Sequence, residues 1–180
     1  MKQILSKSIV LIGLMGSGKS AVGKMLSEAI GVPFSDTDTI IEKEVGKEIN
    51  QIFDDLGERY FRQVEEKVVE RTLEDNAHVI STGGGSILSP KTRNLIKVNS
   101  FSIWIQCDVR IIAKRLLNQG NRPLLKNKNI LDTLIEKNED RIKFYSKADI
   151  HIKNENPNLE LVVDLITRNL LIKKVMKNND

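Results

Sequence analysis

The stretch GLMGSGKS, Gly13 to Ser20, sets a lysine and a hydroxyl directly after a glycine-rich turn. It matches the pattern G-x-x-x-x-G-K-[ST], and every fixed position has a chemical use. Gly13, Gly16 and Gly18 let successive backbone N–H groups, with that of Ser17 between them, point into one concavity that takes a phosphate chain. The helix that begins at Lys19 adds the N–H groups of Ser20 and Ala21 and the positive end of its dipole. Lys19 can bridge β- and γ-phosphates, and the Ser20 hydroxyl can face Mg2+. A dinucleotide fingerprint, G-x-G-x-x-A, also fits Gly16, Gly18 and Ala21, with Asp38 about 20 residues on. That pattern leaves Lys19 and Ser20 without a purpose, so nucleoside triphosphate binding is the better reading.

A second group of chemically capable residues follows in FSDTD. Asp36 and Asp38 come just after a short strand, where ligands of parallel sheets bind. One carboxylate suits the water shell of a metal and the other an acceptor hydroxyl. The plainer alternative is that the pair only caps the next helix. Arg62, Arg122 and Arg141 are candidate anion ligands, although an isolated helical arginine is by default a solvated surface residue. Their spacing does not bring the three together. A second glycine-rich loop, STGGG with Gly83, Gly84 and Gly85, costs backbone entropy and offers no side chain to pack. A strand-to-helix turn explains one of its glycines or two, not three.

These residues need a frame. SIVLIG (Ser8 to Gly13) reads as a buried strand, and Lys19 to Ile30 carries apolar residues at helical spacing. A short strand is expected around Phe34, a helix over Thr39 to Val45 ended by Gly46, and a helical piece closed by Gly57. ERYFRQVEEKVVERTLEDN is strongly amphipathic, with Phe61, Val64, Val68 and Leu73 on one face. HVIST is a strand, and Ser89-Pro90 starts a helix with Ser as N-cap and Pro at the first position. SFSIWIQC is a strand, Asp108 caps the helix that follows, and NQGNRPLLKNKN is a polar loop. Ile130 to Tyr145 is helical, ADIHI is a last strand, and Leu159 to Met176 is a closing helix after Pro157. Strands alternating with helices imply βαβ units and a parallel α/β sheet covered on both faces.

Composition narrows the class. The 180 residues suit one domain, 1–180, with 40% apolar and 29% charged residues. Aromatic content is 4%, which leaves few stacking platforms for single-stranded nucleic acid. Lys plus Arg is 28 against 24 Asp plus Glu, and the signs are interspersed rather than clustered on one face. No nucleic-acid partner is expected. Cys107 is the only cysteine, read as a small buried hydrophobe beside SIWIQ, consistent with a reducing cytoplasm. SIVLIGLMG is broken by glycine well short of the roughly 20 apolar residues of a membrane span. A GTPase switch needs D-x-x-G after a strand and N-K-x-D. DDLG (Asp54 to Gly57) ends a helical piece, and NKNI at Asn127 lacks the aspartate. A small-molecule kinase is therefore preferred.

At this point the motifs combine. GLMGSGKS, FSDTD, GERYFRQVEEKVV, STGGGSIL, NRPLL and ADIHI together make the chain resemble the shikimate kinase family over essentially its whole length. The resemblance implies a three-layer αβα P-loop fold with a five-stranded parallel sheet in the order 2-3-1-4-5. It also implies a substrate-binding segment at about 36–62 and a mobile lid at about 118–130. It implies ATP-dependent, Mg2+-assisted phosphorylation of the 3-hydroxyl of shikimate, on the route to chorismate and the aromatic amino acids, by a cytoplasmic enzyme that is commonly a monomer and has no membrane partner. Lys19 matches the phosphate-loop lysine, Ser20 the magnesium ligand and Asp36 the aspartate that reaches the metal through water. Asp38 matches the residue on the shikimate hydroxyls, Arg62 and Arg141 the carboxylate ligands, and Gly83, Gly84 and Gly85 the loop lining the shikimate site. Arg122 matches the lid arginine, and Arg115 falls where the family often has an arginine near adenine.

The chain departs from the family in two places. Lys143 and Phe144 replace the Pro and Leu that many relatives carry between arginine and tyrosine, and KNENPNLE lacks an adenine-side arginine. The nearest alternative is a kinase for another small acid such as gluconate. An alternative from a different class is a nucleotide-dependent binding protein without activity.

Overall fold

Ser8–Ile12 is apolar at four of its five positions and buried at all five, so it needs cover on both faces. The chain supplies that cover in alternation. The structure, a computed structural model, describes residues 4–118, 129–156 and 158–177. Within them the elements run β1 (Ile4–Leu5), β2 (Ser8–Ile12), α1 (Lys19–Ile30), β3 (Phe34–Asp36), α2 (Thr37–Val45) and α3 (Ile49–Glu74). There follow β4 (Val79–Ser81), a 3-10 turn (Ser86–Leu88), α4 (Pro90–Asn99), β5 (Ser100–Gln106), α5 (Val109–Asn118), α6 (Ile130–Tyr145), β6 (Ile150–Lys153), α7 (Leu159–Ile172) and β7 (Met176–Lys177).

The main sheet has the spatial order β3-β4-β2-β5-β6, and every pairing in it is parallel. Counted along the chain as five sheet strands, this is 2-3-1-4-5, the expected order. Successive side chains of a strand point to opposite faces. Ile9 and Leu11 of β2 pack with Val22, Leu26 and Ile30 of α1 and with Val162, Val163 and Ile166 of α7. Val10 and Ile12 pack with Val69 of α3, Ile96 of α4 and Tyr145 of α6. A separate cluster of Ile41, Ile52, Phe61 and Val68 ties α2 to α3. The register sets Asp36 beside Ser81, and Ser81 beside Leu11, so the strand ends gather at one edge.

Several boundaries have clear local causes. Gly18 begins α1 in the left-handed conformation, φ 93°, with no side-chain cap. Ser89 caps α4 through Thr92 N–H with Pro90 in the first turn, as expected. Asp108 accepts from Arg110 N–H at 2.7 Å at the head of α5. α2 starts at Thr37, two residues before the expected Thr39, because the Asp36 carboxylate caps it. The helical pieces on either side of Gly57 run on as α3, with a break at that glycine (φ 83°, ψ 161°).

Two expectations are corrected. The closing helix stops at Ile172 rather than Met176: Lys174 takes φ 56°, and Met176–Lys177 pairs antiparallel with Ile4–Leu5. Val175 and Met176 are buried, so their apolar side chains join the core instead of extending the helix. Cys107 is half-buried rather than buried, and Arg115 Nη1 donates to its Sγ at 3.5 Å. Burial pushes its thiol pKa up, only partly countered by Arg115, so it does not carry a reactive thiolate. Arg122 and most of the expected lid lie outside the described residues, as does Pro157. No helix among the described residues is long and apolar enough to cross a membrane.

Candidate active site

The uncapped start of α1 leaves backbone N–H groups without helical acceptors. They face a cleft of about 480 Å3 whose lining includes Gly16, Gly18, Lys19, Ser20, Ala21, Asp36, Asp38, Gly84 and Arg115. Nine sequence-predicted residues from four stretches of chain thus meet at one edge of the sheet. Lys19, 7% exposed, folds back over the loop and donates to the carbonyls of Gly13 at 2.9 Å and Leu14 at 3.0 Å. An ammonium held on neutral carbonyls can transfer those bonds to phosphate oxygens, which are stronger acceptors because they carry charge.

Asp36 uses its two oxygens differently. Oδ1 accepts from the N–H groups of Asp38 at 3.0 Å and Thr39 at 3.4 Å, which caps α2. Oδ2 accepts from Ser20 Oγ at 2.5 Å, and that hydroxyl lies 3.4 Å from Ser81 Oγ. Asp36 therefore caps α2, as the capping reading expects, while its second oxygen faces Ser20 in the cleft.

The three consecutive glycines each face a different neighbour. A Cβ on Gly83 would lie 2.5 Å from Glu65 Oε1 and 2.7 Å from Asp38 Oδ1. On Gly84 it would meet Met15 N at 2.9 Å, and on Gly85 the Arg62 guanidinium at 2.5 Å. Any other residue would displace a carboxylate, the phosphate loop or an arginine. The requirement is close approach, since none of the three has positive φ.

Arg62 donates from Nη1 to Glu65 Oε2 at 2.7 Å and from Nη2 to Glu58 Oε1 at 3.1 Å, and its guanidinium carbon lies 5.2 Å from the Phe61 ring centre. Arg141, 6% exposed, donates from Nη1 to the Gly84 carbonyl at 3.1 Å; Tyr145 Oη donates to the same oxygen at 2.5 Å. Gly84 thus lines the nucleotide cleft on one side and receives Arg141 on the other. α6 runs unbroken through the unusual Lys143 and Phe144, with the Phe144 ring 4.1 Å beneath the Arg93 guanidinium.

This geometry has a match among known proteins. The sequence model of one family, described as Shikimate kinase, covers residues 15–171. The chain belongs to the shikimate kinase family. A Shikimate kinase from Caulobacter vibrioides is 39% identical over 163 residues, 90% of this chain and 82% of the relative. A solved Shikimate kinase from Acinetobacter baumannii in complex with shikimate superposes with a TM-score of 0.89 at 31% identity, covering 93% of this chain and 94% of its own. The structure of Shikimate kinase from Aquifex aeolicus gives 0.81 at 40% identity, covering 93% and 98%.

The shikimate kinase fold also brings in residues that the sequence reading did not assign. Glu65 is 2% exposed and lies between Arg62 and Gly83. Burial pushes its carboxyl pKa up; Arg62 pulls it only part of the way back, and the like charge of Asp38 adds to the rise. For Arg62 burial opposes the charge, but Glu65 and Glu58 outweigh it, and its pKa ends above the usual value. The i, i+3 spacing of Arg62 and Glu65 on a helix is a sequence signal for such a pair. Burial also drives the Tyr145 phenol up to about 12, so it remains a donor at any physiological pH. Ser81, Thr82, Asn154, Asn156 and Leu159 complete the cleft. Ser81 ends β4 and Thr82 follows it, Asn154 and Asn156 follow β6, and Leu159 heads α7; the sequence reading gave none of them a role of its own.

Tyr145→Phe removes one of two donors to the Gly84 oxygen. The expected outcome is a loss of about 1 kcal/mol in unfolding free energy and a severalfold rise in the KM for the acceptor. Denaturant melts and acceptor titrations check it; an unchanged acceptor KM would show that Arg141 alone holds the loop.

Proposed function

We propose that this chain transfers the γ-phosphoryl group of ATP to the 3-hydroxyl of shikimate, yielding shikimate 3-phosphate and ADP. The observation that carries the reading is the position of Gly84: it lines the cleft of the phosphate loop, and its carbonyl anchors Arg141 beside the arginine–carboxylate cluster. Donor and acceptor sites share one backbone wall. In transfer the acceptor oxygen bonds to the γ-phosphorus as the bond to the ADP oxygen breaks, and most of the catalysis is positioning and charge stabilisation.

Lys19 and the first-turn N–H groups of α1 hold the phosphates, and Arg115 borders the base side. Asp38 orients the acceptor hydroxyl and takes its proton. Arg62 and Arg141 hold the shikimate carboxylate, for which a planar guanidinium is well shaped. Arg122 neutralises charge on the transferred group; this role rests on the family resemblance. The donor set fits Mg2+: one hydroxyl and one carboxylate, Ser20 and Asp36, with no cluster of three His, Cys, Asp or Glu ligands among the described residues. Such a set suits a cation that keeps several waters and binds substrate phosphates. When bound, the ion supplies neutralisation of the phosphate charge.

We read the whole chain as one kinase domain with a substrate segment over 36–62 and a lid over 118–130, acting as a cytoplasmic monomer without nucleic-acid or membrane partners. The decisive assay is ADP release with shikimate, gluconate and related acids offered singly. Strong stimulation by shikimate alone is the expected result. Folded protein that shikimate fails to stimulate would overturn the assignment, and preference for gluconate would move it to the nearest alternative.

A further inference from the structure

Asn154 directly follows the end of β6, in the loop KNENPNLE. It is 1% exposed, yet it borders the nucleotide cleft. Three hydrogen bonds run through it. Its N–H donates to the carbonyl of Gln106, the last residue of β5, at 2.8 Å. Its own carbonyl accepts from Arg115 Nη2 at 3.0 Å. Its side-chain Nδ2 donates to the Ser17 carbonyl at the apex of the phosphate loop at 2.7 Å. The last contact fixes the amide orientation, because only the nitrogen can donate to a carbonyl. The fit is close: a Cβ on Gly18 would lie 2.3 Å from Nδ2.

We infer that Asn154 is a positioning residue for nucleotide binding, which locks the Ser17 carbonyl away from the phosphates and joins Arg115 and the phosphate loop into one hydrogen-bonded unit. The physical reason is directional. A peptide's carbonyl and the N–H of the same peptide unit point opposite ways, so a donor that holds the Ser17 carbonyl on the outer side turns the Gly18 N–H inward, where an anion is bound. The loop then keeps its concave form before ligand arrives, and binding does not have to supply the ordering. No side chain caps α1, and none of the loop's own residues holds the Ser17 carbonyl. The hold comes from the residue that follows the edge strand β6, 137 residues away in the chain.

The inference rests on the nucleotide-binding reading, and its test separates the two. ADP and shikimate are titrated calorimetrically, each without the other, into the native chain, Asn154→Asp and Asn154→Ala. Asn154→Asp keeps the shape but sets a carboxylate oxygen against the Ser17 carbonyl, replacing attraction with repulsion. It should weaken ADP binding by at least about tenfold and raise the KM for ATP in parallel, with shikimate affinity within about twofold of native. Asn154→Ala should weaken ADP binding about fivefold. If Asn154→Asp gives no cooperative thermal transition, the alanine variant decides by the same comparison. Unchanged ADP affinity in a folded variant overturns the inference. An equal loss of ADP and shikimate affinity also overturns it, by showing a general structural role. A native chain that does not bind ADP refutes the nucleotide reading itself.

Discussion

Asp38→Asn is expected to lower kcat by about 10²- to 10⁴-fold while ADP still binds. Asp38 sits in the first turn of α2, held there by the Asp36 cap, and faces Gly83 across the acceptor side. Asparagine keeps the shape and can still accept a hydrogen bond from the acceptor hydroxyl, but it cannot take the proton. Phosphoryl transfer demands less of a base than acyl transfer does, because its transition state is loose. The loss therefore measures how much orientation depends on the charge. Phosphate-loop contacts are untouched, so ADP affinity should stay within about twofold of native. Steady-state turnover with calorimetric ADP binding checks both halves. Near-native turnover would remove Asp38 from the chemistry, and lost ADP binding would show that the substitution acts on the loop instead.

Arg62→Ala should act twice. First, it removes one of two guanidinium groups proposed for the shikimate carboxylate. Charge-assisted bidentate contacts are among the stronger polar interactions, and the KM for shikimate should rise about 10²-fold with the KM for ATP nearly unchanged. Second, it strands Glu65. The Glu65 side chain is 2% exposed and Arg62 27% exposed, so the pair is only weakly screened by solvent. Removing the cation leaves a buried carboxylate without its partner, at a cost of about 2 kcal/mol near neutral pH.

The pH dependence of that cost has a definite sign. The Glu65 pKa is already raised above its ordinary value of 4.5 in the folded chain, and Arg62 is the largest influence holding it down. In the variant it rises further. A group whose folded pKa is raised favours folding below the unfolded value and loses that contribution as pH climbs through the folded value. The variant's deficit relative to native should therefore be small near pH 5 and larger at pH 8, by denaturant melts at both. A deficit independent of pH would mean that lost packing on Phe61 and Phe53, not the stranded charge, sets the cost.

Much of the frame was legible because its causes are local. The bounds of α1 and α6 emerged from apolar periodicity, and the start of α4 from a serine–proline pair. Asp36 shows where local reading divides: its capping role follows from position, but its second oxygen meets Ser20 only because β3 and α1 end at the same edge. The expected helix through Met176 failed for a related reason. Its apolar residues continue past Ile172, but burial against the chain's first strand competes with helix extension, and that partner is 171 residues away in sequence.

The sequence by itself determined the phosphate loop, the alternation of strands and helices, and the family, because these depend on residue type at short spacing. The tertiary structure alone decided why STGGG needs three glycines, that Glu65 is buried against Gly83, and that Asn154 bonds the Ser17 carbonyl of the phosphate loop. Each of those depends on close approach between segments distant in the chain, and composition and periodicity carry no information about such distances.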